Sequence, residues 1–268
     1  MTPTPAPDLA VIGGTGFYTF LDDPEHYVVE TPYGKPSAPI AVGTVDGGRR
    51  VAFLPRHGEH HEFPAHKVNY HANLWALRSL GVRQILAPCA VGGLRPERGP
   101  GSFVVPDQIF DRTTDRIQTF YDDGAVHVSF ADPYCGRLRG ALLEGLADED
   151  PQDGGTLVVI DGPRFSTRAE SRWYSDQGWS IIGMTGHPEA ILARELAMCY
   201  ATVALVTDLD AGVDEESAVS QADVFEVFSR HTERLREALR TVAAAVERDA
   251  DCSCTHALDG LKLPIDLP

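Results

Sequence analysis

Ala201-Thr202-Val203-Ala204-Leu205-Val206-Thr207-Asp208-Leu209-Asp210-Ala211-Gly212 is the stretch that decides the fold. Residues 201–206 are short, apolar and rich in β-branching, the pattern of a strand buried on both faces. Two carboxylates follow, one residue apart, at its C-terminal end. In an open α/β sheet that end is the rim where ligands bind. Paired carboxylates there can accept hydrogen bonds from adjacent donors on a flat heterocycle or hold a metal, and the same pattern also occurs in a plain solvated loop.

Working outward, the same kind of run recurs with an informative tail each time. Residues 9–12 lead into Gly13-Gly14-Thr15-Gly16, and residues 51–55 into Arg56-His57-Gly58. Residues 84–87 lead into Pro88-Cys89-Ala90-Val91-Gly92-Gly93. Residues 157–160 lead into Asp161-Gly162-Pro163-Arg164-Phe165, and residues 180–182 into Gly183-Met184-Thr185-Gly186-His187. Glycine with a polar or aromatic group at nearly every strand end is the composition of a shared ligand rim.

Helices are predicted between these runs. Residues 69–80 read as amphipathic. Thr167 and Glu170 have the spacing of a capping box, so a helix is expected just after Phe165. Pro188-Glu189 opens another, with proline at the first helical position and a carboxylate at the positive end of the dipole. The longest is expected from about residue 223 to 247, with Val224, Val227, Phe228, Leu235, Leu239, Val242 and Val246 on one stripe. Continuous strand–helix alternation over 268 residues predicts one α/β domain, residues 9–268, after a disordered tail of residues 1–8.

A formal charge of −16 argues against nucleic acid and anionic membranes as partners. It leaves a small anion open, because backbone N–H groups and one arginine can override a distant field. No stretch is long and apolar enough to span a membrane, and residues 1–7 lack the basic and apolar regions of a signal peptide. Cys89, Cys135 and Cys199 lie scattered in apolar or strand-end contexts, which suits a reducing cytoplasm. Cys252-Ser253-Cys254 with His256 lacks the ligand set of a structural zinc site by itself, so a local disulfide or two free thiols is expected there.

The glycine loop at residues 13–16 suits a single phosphate, held by backbone N–H groups and Thr15. It fits a dinucleotide less well, because the third glycine of that motif would fall at Thr19; a tight turn alone is also open. Arg56 offers a fork that matches phosphate oxygens. His57, His60, His61, His66 and His71 place five of the ten histidines within fifteen residues, but match no usual metal spacing. They are expected to be loop or interface histidines, with a metal cluster as the alternative, and no metal ligand is assigned. A reductase using a nicotinamide cofactor would need a catalytic Tyr-x-x-x-Lys, which has no counterpart here. Hydroxyls, an arginine and glycine N–H groups for an anion, a phenylalanine for stacking and two carboxylates for ring donors add up to a nucleoside-plus-phosphate site.

The chain resembles the S-methyl-5′-thioadenosine phosphorylases of the trimeric purine nucleoside phosphorylase family. The motifs that carry the resemblance include residues 11–16, 55–58, 68–70, 90–94, 107–108 and 111–113, then 162–170, 184–185 and 207–210. It implies a three-layer α/β/α domain with a central mixed, twisted sheet. It further implies phosphorolysis of S-methyl-5′-thioadenosine to adenine and 5-methylthioribose 1-phosphate, in purine and methionine salvage. Phosphate is a co-substrate and no cofactor is expected; a cytoplasmic homotrimer is. Carried over position by position, Thr15, Arg56, His57, Cys89, Ala90 and Thr185 match phosphate-binding positions. Met184 matches the residue packing on the ribose, and Phe165 the one beside the base. Asp208 and Asp210 match the catalytic carboxylates facing N7 and the 6-amino group. His127 matches a residue lent to the 5′ pocket by a neighbouring subunit. Ser166, Gln221 and Phe225 fall where substrate choice is tuned. Cys89 stands where threonine or asparagine is common, and Gln221 and Phe225 replace smaller aliphatic residues. A polar Gln221 can admit a 5′-hydroxyl, so the alternative is a broader purine nucleoside phosphorylase acting on adenosine, inosine or other 5′-modified nucleosides.

Overall fold

Strands buried on both faces organise the chain. The computed structural model describes residues 6–14, 16–213, 219–248 and 251–268. Among these, eleven strands form one mixed sheet. They are β1 (Leu9–Gly13), β2 (Glu25–Tyr27), β3 (Ile40–Val45), β4 (Arg49–Pro55), β5 (Gln84–Gly93), β6 (Phe103–Val105), β7 (Gln108–Asp111), β8 (Gln152–Asp153), β9 (Thr156–Val159), β10 (Ile181–Gly183) and β11 (Cys199–Leu209). Five α-helices pack on it: α1 (Tyr70–Ser79), α2 (Gly136–Gly145), α3 (Arg168–Asp176), α4 (Glu189–Glu195) and α5 (Gln221–Ala245).

Period-two alternation separates two cores within runs that read as uniformly apolar. Leu9, Val11, Val51, Phe53, Leu86, Ala201, Val203 and Leu205 face α2 and α5. Ala10, Ile12, Ala52, Leu54, Ile85, Ala87 and Tyr200 face α1 and α4. The expected three-layer α/β/α domain is therefore present. Pro7 and Asp8 pack with the domain: Pro7 is buried, Asp8 pairs with the buried Arg49, and the Asp8 carbonyl accepts from Arg83 N at 2.9 Å.

Local signals held unevenly. Thr167 and Glu170 form the capping box in both directions, and α3 starts at Arg168. Pro188 sits one residue ahead of α4, in the capping position rather than the first helical one. In contrast to its amphipathic reading, α1 is buried continuously from Tyr70 to Leu77, including His71 and Asn73. Its polar residues are paired inside: Asn73 Oδ1 accepts from Ser37 N at 2.8 Å, and His71 Nε2 meets the Thr119 carbonyl at 2.7 Å. The cysteine reading changes as well, because the fold gathers Cys135, Cys199, Cys252 and Cys254 into one cluster.

β5 positions the site. Along one edge it carries parallel β1 at residues 84–86 and antiparallel β10 at residues 92–93. The C-terminal ends of β1 and β10 run toward each other and stop short, which leaves residues 87–91 without a ladder partner on that edge. Pro88 sits in this gap. A strand-interior proline is tolerated there because no neighbour needs its missing N–H. On the opposite edge β11 pairs with β5 along its whole length, until an irregularity at Thr207 shifts the register. That bulge sets Asp208 against Gly92 rather than Gly93 and re-aims the carboxylate.

Candidate active site

The gap beside β5 opens into a cavity of about 340 Å³. Its walls are the tips of β1, β4, β5, β10 and β11, the loop after β9, the histidine loop after β4 and the first turn of α5. Of the residues proposed from sequence, Arg56, His57, Cys89, Ala90, Phe165, Ser166, Met184, Thr185, Asp208, Asp210, Gln221 and Phe225 all line it. Thr15 lies outside the described residues. His127 is exposed and does not line this chain's cavity.

At one end lie Gly14, Arg56, His57, Cys89, Ala90 and Thr185. The glycine loop turns tightly, with Phe17 N donating to the Gly14 carbonyl at 3.0 Å. A Cβ on Gly14 would sit 2.9 Å from the Pro88 carbonyl oxygen, and Gly16 takes φ +71° with Phe228 pressed against it. Both positions therefore require glycine.

Arg56 behaves differently from the sequence expectation. Its fork is not turned to the cavity: Nε and Nη2 each donate to Glu189 at 2.8 Å, and Tyr200 Oη donates to the same carboxylate at 2.7 Å. Only Nη1 faces the Gly14 side, 3.3 Å from the Pro88 carbonyl. Both partners of the pair are fully buried. Burial would lower the Arg56 pKa, but the Glu189 charge and hydrogen bonds reverse that and hold it above the ordinary arginine value. Glu189 is thus a site residue that sequence reading missed. Its signature, a carboxylate opening a helix, points to the helix dipole, and its partner lies 133 positions away.

His57 Nδ1 lies 2.8 Å from the Phe63 carbonyl, which can only accept, so Nδ1 carries the proton. Burial, followed by the Arg56 charge, pushes its pKa down to about 3. The ring is neutral at pH 7 and leaves Nε2 as an acceptor. Burial also keeps Cys89 protonated, its pKa raised to about 12.

The histidine-rich segment divides. His61 stacks on His57 at 4.6 Å, meets Phe225 edge-on at 6.0 Å and shares a 3.1 Å hydrogen bond with Tyr18 Oη. It forms the wall between the anion end and α5. His60 and His66 are exposed, and His71 is buried on α1 itself.

At the other end stand the two aspartates. Asp208 Oδ1 accepts from Thr207 Oγ1 at 2.8 Å. Burial is the main cause that raises its pKa to about 6; the Thr207 hydroxyl opposes this and the Asp210 charge adds to it. Burial raises Asp210 as well, against the Ser171 hydroxyl. Among the described residues, Asp210 Oδ2 and Ser166 Oγ are buried without a hydrogen-bond partner. Such orphaned atoms in a cavity wall are costly unless a ligand completes them. Met184 lies between the two ends and packs over Gly162, while Phe165 is exposed at the mouth. Gly92 makes room for the carboxylates: a Cβ there would sit 3.2 Å from Asp208 Oδ2.

A family profile described as "Phosphorylase superfamily" matches residues 8–246, and the chain belongs to that superfamily. It is 58% identical to the S-methyl-5′-thioadenosine phosphorylase of Mycolicibacterium smegmatis, covering 97% of this chain and 99% of that protein. It is also 55% identical to the purine nucleoside phosphorylase of Streptomyces coelicolor, over 97% of this chain and 98% of that one. The solved methylthioadenosine phosphorylase from Schistosoma mansoni in complex with adenine has a TM-score of 0.88 and 36% identity, covering 94% of this chain and 96% of that chain. The sheet and its helices have the nucleoside phosphorylase architecture.

Proposed function

We propose that the chain cleaves the glycosidic bond of S-methyl-5′-thioadenosine with inorganic phosphate, releasing adenine and 5-methylthioribose 1-phosphate. The observation that carries this reading is one cavity with two chemically opposite ends. One end has glycine-loop and Ala90 N–H groups, Arg56 Nη1 and Thr185; the other has the half-buried Asp208 and the buried Asp210, both of raised pKa and the latter with an orphaned oxygen. The names of the similar proteins in two mycobacteria support the same substrate.

In this reading phosphate rests on the N–H groups of the glycine loop and Ala90, the Thr15 and Thr185 hydroxyls, and Arg56 Nη1. Glu189 holds the guanidinium so that this single donor is aimed. Neutral His57 accepts from a protonated phosphate oxygen at Nε2. A phosphate oxygen attacks C1′ from the face opposite the base. The bond to N9 breaks and its electron pair passes into the purine, through an oxocarbenium-like state. Asp208, poised near neutral pH, gives its proton to N7, an assistance worth roughly 10²–10⁴-fold. Asp210 Oδ2 accepts from the 6-amino group, and Met184 and Phe165 pack on the ribose and the base. Phosphate and the chain's own side chains supply every step, with no cofactor.

Gln221 and Phe225 close the cavity from α5 and contact the 5′-substituent, with His127 of a neighbouring subunit completing that pocket in a homotrimer. The cytoplasm is the compartment that fits a phosphate-dependent salvage enzyme with reduced thiols. A second reading, a broader purine nucleoside phosphorylase, is favoured by the polar Gln221 and by the name of the Streptomyces relative.

Phosphate-dependent cleavage of S-methyl-5′-thioadenosine, adenosine and inosine, assayed side by side, tests both. Rapid adenine release from the thioether nucleoside that requires phosphate is the expected result. Comparable or faster turnover of adenosine or inosine would transfer the assignment to the broader activity, and phosphate-independent release would reject phosphorolysis.

A further inference from the structure

Four cysteines from three separate stretches of the sequence meet at the end of β11 opposite the aspartates. Cys199 is the first residue of β11, Cys135 sits at the N-terminal cap of α2, and Cys252 and Cys254 lie in the turns that follow α5. All four sulfurs lie within 4.8 Å of one another. Cys252 Sγ is 3.3 Å from Cys199 Sγ and 3.9 Å from Cys135 Sγ. Tetrahedral zinc with Zn–S bonds of about 2.3 Å sets its sulfurs about 3.8 Å apart. Disulfides would join the sulfurs two by two at about 2.05 Å. Here Cys252 stands beside two others at once, so the grouping is a tetrad rather than two pairs.

The surroundings fit a charged centre. Zinc with four thiolates carries a net charge of −2, and two guanidinium groups reach the sulfurs. Arg137 Nη2 lies 3.8 Å from Cys199 Sγ, and Arg194 Nη2 lies 3.8 Å from Cys254 Sγ. Both arginines are anchored independently of the sulfurs. Arg137 donates to Gln84 Oε1 at 2.5 Å, and Arg194 donates to the Ser129 and Asp132 carbonyls at 2.7 Å. N–H donors held against ligand sulfurs are the outer shell that tunes a thiolate site. The helix N-terminus at Cys135 also favours a thiolate. Backbone hydrogen bonds hold each ligand position: Cys135 N to the Tyr200 carbonyl, Cys199 N to the Arg83 carbonyl, and turns closing on the Cys252 and Cys254 carbonyls.

We propose that Cys135, Cys199, Cys252 and Cys254 bind one Zn²⁺ in a structural site that clamps the C-terminal segment to the start of α2 and of β11. The C-x-C spacing supplies two ligands and the fold supplies the other two. Nine residues of extended chain, about 30 Å, separate Cys199 from Asp208, so the metal stabilises the domain and takes no part in the chemistry of the cavity. Binding displaces the thiol protons into solvent.

The test uses the full chain, produced with zinc supplied and purified in a non-chelating reductant. Elemental analysis is expected to give one zinc per chain, and the double variant Cys252→Ser/Cys254→Ser less than a tenth of that. Replacing the metal with Co²⁺ in the unaltered chain is expected to give the thiolate charge-transfer and intense visible bands of a tetrahedral sulfur site, a readout that does not depend on the variant folding. Titration in denaturant with chelator and without reductant should find all five thiols of the chain. One titratable thiol, with a mass lowered by the hydrogens lost to two disulfides, would overturn the proposal. Five free thiols in a chain that carries no zinc would overturn it equally.

Discussion

Replacing Asp208 with asparagine removes a proton donor while keeping its shape, and the burial of the carboxylate sets the size of the effect. With a pKa of about 6, roughly one chain in ten carries the proton at pH 7. Acid assistance of roughly 10²–10⁴ in the protonated form then becomes a loss of about 10–10³ in kcat/KM for S-methyl-5′-thioadenosine at pH 7. The ratio of unaltered to variant kcat/KM should be flat below about pH 5 and fall about tenfold per pH unit above 6. Phosphate ionisation cancels in that ratio. Stability moves the other way. The folded chain binds this proton more tightly than the unfolded one, so stability declines as pH rises from about 4 to about 6, and the full cost is present at pH 7. A shift from 3.8 to about 6 corresponds to at most about 3 kcal/mol. The variant should therefore be more stable at pH 7 by up to that amount, with the difference vanishing near pH 4 in urea titrations. The variant should also gain, relative to adenosine, on inosine, because an amide can donate to a 6-oxo group. A pH-independent ratio together with an unchanged base preference would refute the proton-donor role.

Other perturbations probe the rest of the cavity. Glu189→Gln leaves the buried Arg56 charge without its carboxylate, and should cost roughly 3–5 kcal/mol in denaturant titrations and raise KM for phosphate; unchanged values for both would show that the pair does not organise the anion end. His57→Gln should remove a pH dependence of stability: the buried ring is neutral in the fold, so its contribution is full above about 6.5 and lost as pH falls toward about 3. Urea titrations of both proteins from pH 7 to 4 measure it. Gly92→Ala places a Cβ 3.2 Å from Asp208 Oδ2 and 3.1 Å from Ile182 Cγ2, and should lower kcat at least about tenfold with little change in Tm, since a misplaced catalytic group costs rate before stability. Gln221→Leu should raise the preference for a 5′-methylthio over a 5′-hydroxyl group by about tenfold in kcat/KM, the effect of one hydrogen bond; an unchanged ratio would remove Gln221 from the 5′ pocket.

Glycine-terminated apolar runs made much of this architecture legible in advance. Residues 9–12, 51–55, 84–87 and 201–206 are each buried on both faces, so their composition reports a covered sheet directly. The capping box at Thr167 and Glu170 is local hydrogen bonding and depends on nothing distant. The amphipathic reading of α1 failed because burial of His71 and Asn73 depends on partners at Thr119 and Ser37, which no periodicity within residues 69–80 can show.

By itself the sequence determined where the strands lie, the order of motifs along the rim and the chemical types gathered there, because these follow from period-two burial and from the demands of tight turns. It did not determine the strand ends: β5 runs on through residues 88–93 and β11 through 207–209 because their neighbours in the sheet continue to pair with them. Tertiary structure alone decided what those groups do to one another. It turned the Arg56 fork away from the cavity onto Glu189, made His57 neutral, lifted Asp208 toward neutral pH, and joined four separated cysteines into one cluster. Each is a consequence of desolvation or of contact across more than fifty residues of chain, and the free energy of a charge or a thiol is set by its surroundings rather than by its place in the sequence.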